Sequence, residues 1–240
     1  MKLYSAWYCP FAQRAWLALL VKRAKFEYVE IDPYQKTDEW MKISRQTGQV
    51  PVLALSDKKA VVDSSRVVEF VDHAITDRSQ LFAPDSFENA EQKYWIDHIN
   101  KKIIPNFYRF LKNADYSEPD SRAKKNMLNG LEQLTLAMDN EGPFFSGENI
   151  NSVDIALIPF AYRINLLLKH YRHFSLPTCT RLWRRYHQWY QTNIEQPEFQ
   201  QTLNQQTRTE KLSNHRSYQQ RLIEFYLPYS LGGGQADVTD

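Results

Sequence analysis

Short apolar runs and amphipathic stretches alternate along residues 1–80, as they do in a sheet covered by helices. Residues 2–7 are short and aromatic, which is typical of a buried strand. Residues 10–22 carry apolar side chains at helical spacing, which predicts an amphipathic helix. Residues 26–32 alternate apolar and polar side chains, which predicts a strand with one covered face. The chain is expected to begin with a parallel strand–helix–strand unit.

The remainder of this region predicts a short helix, a hairpin and a final helix. A short helix is expected near residues 38–43, and apolar runs at 52–55 and 60–62 flank a polar turn. Asp63 and Ser64 then precede a helix with apolar residues on one face. The order βαβαββα is that of the thioredoxin-like fold, an α/β domain in which the start of the first helix faces the residue before the third strand.

A polar, proline-containing stretch at residues 78–86 is a credible domain boundary, and beyond it we find no convincing strand. We therefore predict an α/β, thioredoxin-like domain at residues 1–77, followed by a linker at 78–86. An all-helical C-terminal domain is expected at 87–228 and a flexible tail at 229–240. A chain of 240 residues fits two domains with separate cores.

Apolar spacing predicts the helices of the second region. Residues 87–112 are expected to form a long helix, kinked at Pro105 because an internal proline removes a hydrogen bond. We also expect helices at 121–140, two aromatic-rich helices within 160–194, and a terminal helix within 204–226.

A capping box is predicted where one of these helices begins. Asn151 can accept from the N–H of Asp154, and the Asp154 carboxylate can reach back to Asn151, with Ile150 and Ile155 as flanking apolar residues. We interpret this pattern as a folding device and not as catalytic chemistry.

The composition excludes several classes of function. A hydrophobic fraction of 42% is ample for packed cores, so disorder is excluded. The net charge of +2 is too balanced to indicate a nucleic acid or an anionic membrane as a partner. The sequence shows no leader and no apolar run long enough to span a membrane, so we expect a soluble cytoplasmic protein.

Cys9 is the candidate nucleophile. Pro10 suits the first helical position, which places Cys9 at the helix N-cap. The unpaired N–H groups and the positive end of the helix dipole there favour the thiolate, with a pKa below the free value of about 8.5. The alternative is that Cys9 is a small buried apolar residue.

The remaining sulfur and imidazole groups suggest no second site. Cys9 and Cys179 are far apart in the sequence, which argues against a disulfide framework, and Cys179 lacks the strand-to-helix setting. The six His residues show no metal-ligand spacing, so we expect no metal.

Two further segments leave alternatives open. Pro51 suits either a cis peptide after Val50, which would free the Val50 backbone for an extended ligand, or a trans proline that opens a strand. Asp63 and Ser64 are good helix caps, and the same helix start could hold a carboxylate.

These residues together resemble the N-terminal domain of cytosolic glutathione transferases, closest to the omega and lambda classes that carry a cysteine. The resemblance rests on residues 9–14, Lys36, Val50–Pro51 and Asp63–Ser64. The capping box resembles the one that opens the central helix of the family's all-α domain, so the similarity spans residues 1–200. Asn151 departs from the usual Ser or Thr, and Asp63 stands where omega-like proteins usually have Glu.

The resemblance implies a role for each site residue. Cys9 would be the catalytic thiol, and the other implied positions bind glutathione: Phe11 and Lys36 flank the tripeptide, Val50 pairs with its cysteinyl backbone before a cis Pro51, and Asp63 and Ser64 hold the γ-glutamyl end. It also implies a homodimer and an acceptor pocket between the domains. The aromatic lining that we expect for this pocket is Trp7, Tyr8, Phe107 and Phe110.

A cysteine at the helix start predicts thiol chemistry. A thiolate attacks a glutathionylated or disulfide sulfur and carries a mixed disulfide, which glutathione then resolves. No second Cys follows Pro10 closely, so glutathione must supply the second thiol. We predict a glutathione-dependent thiol transferase or reductase for mixed disulfides, dehydroascorbate-like oxidants, S-glutathionyl organics or small hydrophobic acceptors.

Two alternatives remain at this point. Tyr4, Ser5 or Tyr8 could activate glutathione in an enzyme that conjugates it to electrophiles. The chain could also be a transferase-fold binding or regulatory protein without turnover.

Overall fold

A computed structural model describes residues 1–112, 118–203 and 217–233, apart from the side chains of residues 118–121. The chain forms two compact units. Of the described residues, the first contains Met1–Phe82 and Pro197–Leu203, and the second contains Ala83–Gln196 and residues 217–233.

The first unit has the predicted order βαβαββα. Its elements are β1 (Lys2–Ser5), α1 (Pro10–Val21), β2 (Glu27–Glu30), α2 (Asp38–Ile43), β3 (Val52–Ser56), β4 (Lys59–Val62) and α3 (Ser64–Ala74). The sheet order is β2-β1-β3-β4, with β1 parallel to β2 and antiparallel to β3, and with β3 antiparallel to β4. The thioredoxin-like fold predicted from the sequence is therefore confirmed.

The described part of the second unit is helical apart from an isolated bridge at Phe144 and Gly147. The elements that follow α3 are α4 (Ser86–His98), a π-helical turn (Ile99–Ile103), α5 (Ile104–Lys112), α6 (Glu118–Leu136), α7 (Ser152–Arg172), α8 (Arg181–Glu195), α9 (Pro197–Leu203) and α10 (Tyr218–Ser230). No described helix is both long and apolar enough to cross a membrane.

The helix predicted at 87–112 is interrupted before its proline. A π-helical turn at Ile99–Ile103 separates α4 from α5, and Pro105 lies in the first turn of α5. A proline lacks the N–H that would continue the preceding ladder, so the change of helical pitch falls just before it. A close approach accompanies this turn, because a Cβ on Gly130 of α6 would lie 3.0 Å from Ile103 Cγ1.

Helix α9 was not predicted, and it changes the expected division of the chain. The sequence placed residues 87–228 in one helical domain, whereas the segment from Pro197 belongs to the first unit, and Ala83 begins the second unit inside the expected 78–86 linker. The buried amide of Gln13 on α1 donates to Thr202 Oγ1 at 2.8 Å, which ties α9 to the first unit.

The structure describes only some of the residues on which the C-terminal predictions fall. The terminal helix expected within 204–226 is present as α10, which runs on to Ser230, two residues beyond the expected domain end. Residues 204–216, and residues 234–240 of the tail expected to be flexible, lie outside the described residues.

The predicted capping box is present at the start of α7. Asn151 accepts from the backbone N–H of Asp154, and Asp154 accepts from the N–H of Asn151 at 2.8 Å. The same carboxylate accepts from Trp189 Nε1 at 2.7 Å and from the N–H of Phe145 at 2.9 Å. Burial raises the pKa of Asp154 to about 6, and these three donors act in the opposite direction.

A buried ion pair joins α1 to α3 and to the chain beyond α3. Lys22 Nζ, with 0% side-chain exposure, lies 2.8 Å from Asp72 Oδ1, with 3%. Lys22 also donates to the carbonyl of Ser79, and the two Asp72 oxygens accept from the N–H groups of Leu81 and Phe82. Each charge is therefore paired and further hydrogen-bonded, which is the condition under which a buried pair is tolerated.

We expect Lys22→Met to destabilise the protein strongly, because it leaves the Asp72 carboxylate buried without its cation. The loss should be about 3–5 kcal/mol of unfolding free energy, measured as a lower urea midpoint by tryptophan fluorescence. The matched control is Lys2→Met, which removes an exposed pair with Glu27 at 3.3 Å and should cost at most about 1 kcal/mol. Equal shifts in the two variants would contradict this prediction.

Candidate active site

The strand register brings three chain segments together at one end of the sheet, where β1 and β4 end and β3 begins. Tyr4 of β1 pairs with Val52 of β3, and Val52 pairs with Val62 of β4. The chain leaving β1, the chain entering β3 and the chain leaving β4 therefore lie side by side. The predicted thiol, the Val50–Pro51 segment and the predicted caps of α3 all lie within a few residues of this line.

Cys9 is the N-cap residue of α1, as its sequence setting predicted. Its Sγ accepts from the N–H of Ala12 at 3.4 Å, and Pro10 occupies the first helical turn. The N–H of Cys9 donates to the carbonyl of Ala6 at 2.9 Å, which fixes the turn between β1 and α1. The residue is 4% exposed. The geometry places the sulfur at the N-terminal end of α1, where the helix dipole interacts favourably with a negative charge.

The Val50–Pro51 peptide is cis, which was one of the two options that the sequence left open. Val50 is half-buried and Pro51 is buried. Because Val52 pairs with Tyr4, this segment lies beside the turn that carries Cys9.

Asp63 and Ser64 form the start of α3. Asp63 is the N-cap, and its Oδ1 accepts from the N–H groups of Ser65 and Arg66 at 3.0 and 3.2 Å. Its φ of 77° lies in the left-handed region, where a non-glycine residue is strained. Ser64, the first helical residue, is 4% exposed, whereas Ser65 is exposed. The capping role is therefore present, and the buried hydroxyl lies at the helix end that suits a carboxylate.

Lys36 lies in the β2–α2 connection and Phe11 in α1, the two segments nearest in sequence to β2 and to Cys9. Lys36 is exposed in the connection between β2 and α2, and its Cε lies 3.2 Å from the position of a Cβ on Gly48. The Lys36 stem therefore approaches the chain just before Val50. Phe11 is in the first turn of α1, and the guanidinium of the buried Arg14 lies 5.1 Å from its ring centroid.

The four expected pocket residues divide between the two units. In the first, the half-buried Trp7 meets the Tyr8 ring edge-on at 5.6 Å. In the second, Phe107 is 0% exposed and Phe110 is 3% exposed. Both α5 rings are packed in the helical core, so in this structure they offer almost no surface to an acceptor. The sequence pattern marked them as aromatic but could not separate core rings from accessible ones.

One aromatic residue that contacts the neighbour of Cys9 was missed by the sequence analysis. The exposed ring of Tyr34 lies nearly parallel to the Tyr8 ring, with 6.4 Å between centroids. Tyr34 lies in a polar connection, where hydrophobic periodicity carries no signal. Its position two residues before Lys36 was the only available indication.

The described residues contain no group of three or more His, Cys, Asp or Glu side chains arranged to hold a metal ion. Cys179, the other free cysteine, is exposed.

Comparisons with known proteins identify the family. Residues 3–79 match the family model described as the N-terminal domain of glutathione S-transferase. A relative from Oryza sativa subsp. japonica, named as the probable cytosolic glutathione S-transferase DHAR1, is 31% identical over 169 residues, which cover 70% of this chain and 73% of the relative.

Solved structures agree on the fold. Glutathione transferase Omega 3C from Trametes versicolor is 27% identical with a TM-score of 0.75, covering 86% of this chain and 90% of that one. A tau-class glutathione S-transferase from mango, Mangifera indica L., has a TM-score of 0.79 at 20% identity, covering 93% and 96% of the two chains, and shows the fold alone. The resemblance seen in the sequence is confirmed, and glutathione is the family's co-substrate. This chain belongs to the glutathione S-transferase family.

Proposed function

We propose that this transferase is a cysteine-type, omega/lambda-like enzyme, a glutathione-dependent thiol transferase and reductase. The observation that carries the proposal is the position of Cys9. Its sulfur accepts from the N–H of Ala12 at the start of α1, beside the strand edge where glutathione is expected to bind. The named similarities to DHAR1 and to an omega-class structure support this subtype.

The proposed reaction begins when the Cys9 thiolate attacks the glutathionyl sulfur of a mixed disulfide. A new disulfide forms between Cys9 and glutathione, and the acceptor leaves as a thiolate that takes a proton from water. A glutathione thiolate then attacks the same glutathionyl sulfur, which gives oxidised glutathione and restores the Cys9 thiolate. The helix start stabilises the thiolate before attack and after each turnover.

Five further residues are proposed to hold glutathione. The backbone of Val50, before cis Pro51, would pair with the cysteinyl part, and Ser64 with Asp63 would hold the γ-glutamyl end. Lys36 and Phe11 would flank the tripeptide from the two neighbouring segments.

The alternative in which a hydroxyl activates glutathione has weaker support. Ser5 is 1% exposed within β1, and Tyr4 is also a strand residue. Cys9, by contrast, occupies the helix start itself. A non-catalytic binding protein is the remaining alternative, and it would bind glutathione without turning over either a disulfide or an electrophile.

We expect Cys9→Ala to reduce glutathione-dependent disulfide reduction to the uncatalysed background, because the attacking thiolate is removed. The assay is steady-state reduction of a small glutathionyl disulfide. The matched control is Cys179→Ala, which removes the exposed cysteine and should leave the rate unchanged. Undiminished activity of Cys9→Ala would contradict the cysteine mechanism. If neither wild type nor variant turned over while glutathione still bound by calorimetry, the binding protein or the conjugating enzyme would be favoured.

We expect Ser64→Ala to weaken glutathione binding, because a hydrogen bond to a charged group is worth about 1.5–3 kcal/mol. The KM for glutathione should rise about ten- to hundredfold with a much smaller change in kcat. Ser65→Ala is the control, since Ser65 is exposed one residue further along α3. An equal rise in the two variants would mean that the helix start as a whole is perturbed and would contradict a contact from Ser64.

The predicted homodimer is also proposed here. Phe87 and Tyr94 lie seven residues apart on α4 and are 72% and 58% exposed, so one helix face presents aromatic surface. Light scattering should give twice the chain mass of 28.4 kDa, and a single-chain mass would contradict the proposal.

The cytoplasmic location expected from the sequence stays a prediction.

A further inference from the structure

Tyr34 presents an exposed aromatic ring against Tyr8, the residue that precedes the candidate nucleophile in the chain. It is 46% exposed, and its ring lies at 9° to the ring of Tyr8, with 6.4 Å between centroids. Tyr8 is bonded to Cys9 in the chain and is 7% exposed. A buried ring therefore supports the exposed one, in the range of distances at which aromatic pairs attract.

Hydrogen bonds hold the two chain segments that carry these rings. The N–H of Tyr34 donates to Asp32 Oδ1 at 3.1 Å, and the N–H of Gln35 donates to the carbonyl of Asp32 at 3.1 Å. Such an Asx-type turn defines the backbone at Tyr34. The Tyr34 ring is thus presented on an ordered turn, which lowers the entropy lost when a ligand packs against it.

The segment before Cys9 is held from β2. Glu30 Oε1 accepts from the N–H of Trp7 at 3.0 Å, and Glu30 Oε2 accepts from the hydroxyl of Tyr28 at 2.8 Å. The Trp7 ring, which is half-buried, meets the Tyr8 ring edge-on. Trp7, Tyr8 and Tyr34 therefore form one aromatic cluster, and its central residue, Tyr8, directly precedes Cys9 in the chain.

We propose that Tyr34 determines acceptor specificity by stacking on planar aromatic acceptors while Cys9 attacks their glutathionyl sulfur. This inference rests on the proposed thiol-transferase function. In an aryl glutathionyl disulfide the Cys9–glutathione bond forms as the bond to the aryl sulfur breaks, so the electron pair leaves on the aryl thiolate. Glutathione itself has no aromatic ring, and a stacking residue therefore discriminates among acceptors and not among co-substrates.

The test compares two disulfides that share the glutathionyl half: glutathionyl thionitrobenzoate, which is aromatic, and glutathionyl 2-hydroxyethyl disulfide, which is aliphatic. The aryl thiolate is intrinsically the better leaving group. The informative quantity is therefore the ratio of aryl to alkyl kcat/KM in each variant divided by the same ratio in the wild type.

We expect Tyr34→Ala to lower this ratio about three- to tenfold, because an aromatic pair contributes about 0.5–1.5 kcal/mol beyond its buried area. The alkyl kcat/KM and the KM for glutathione should remain near wild type. Tyr34→Phe keeps the ring and should keep the ratio. Gln35→Ala, at the exposed neighbouring position of the same turn, is the control and should also keep it.

Three results would overturn the assignment to Tyr34. The ratio could stay unchanged in Tyr34→Ala, both disulfides could lose activity equally, or Gln35→Ala could change selectivity as much as Tyr34→Ala. Each of these leaves the cysteine mechanism intact. If the wild type turned over neither disulfide, the proposed function would fail and this inference would fail with it, so the two failures are distinguishable.

Discussion

Tyr4, Val52 and Val62 lie opposite one another on three neighbouring strands, and this register determines where the candidate site is built. Side chains alternate across a sheet with a period of two, so a slip of one residue would turn the buried Leu3 and Leu53 outward. The apolar core therefore holds the register, and the register places the turn before α1 beside the segments that enter β3 and α3. Burial in the core and placement of the site are consequences of one constraint.

Helix α1, which carries the candidate thiol at its first end, is held by buried polar contacts near both ends. Gln13 donates to Thr202 of α9 near the start of α1, and Lys22 pairs with Asp72 at its end. Both contacts are buried, where the loss of one polar partner is more costly than at the surface. A segment that follows residues 83–196 of the second unit in sequence thus supports the helix that presents Cys9, and the order of residues along the chain is a poor guide to what stabilises the site.

This arrangement explains which features could be predicted from the sequence. The strands of the first unit, the bounds of α2 and the Asn151–Asp154 capping box all depend on residues within one short stretch, and their patterns are local. The return of α9 to the first unit and the Lys22–Asp72 pair depend on contacts between residues far apart in sequence. Periodicity likewise marks Phe107 as apolar without telling whether its ring is a core residue or a pocket wall.

The residues proposed to bind glutathione and the residue proposed to select the acceptor differ in what holds them in place. Val50, Asp63 and Ser64, three of the residues proposed to hold glutathione, lie where a strand or a helix begins, so the fold fixes their backbone. Tyr34, by contrast, lies in a turn whose own hydrogen bonds maintain its backbone, and its exposed ring meets the core at the Tyr8 ring. A side chain there can be exchanged at little cost in stability, since exposed positions contribute little to packing. Glutathione chemistry can therefore stay constant while the acceptor preference changes through one residue of the β2–α2 connection.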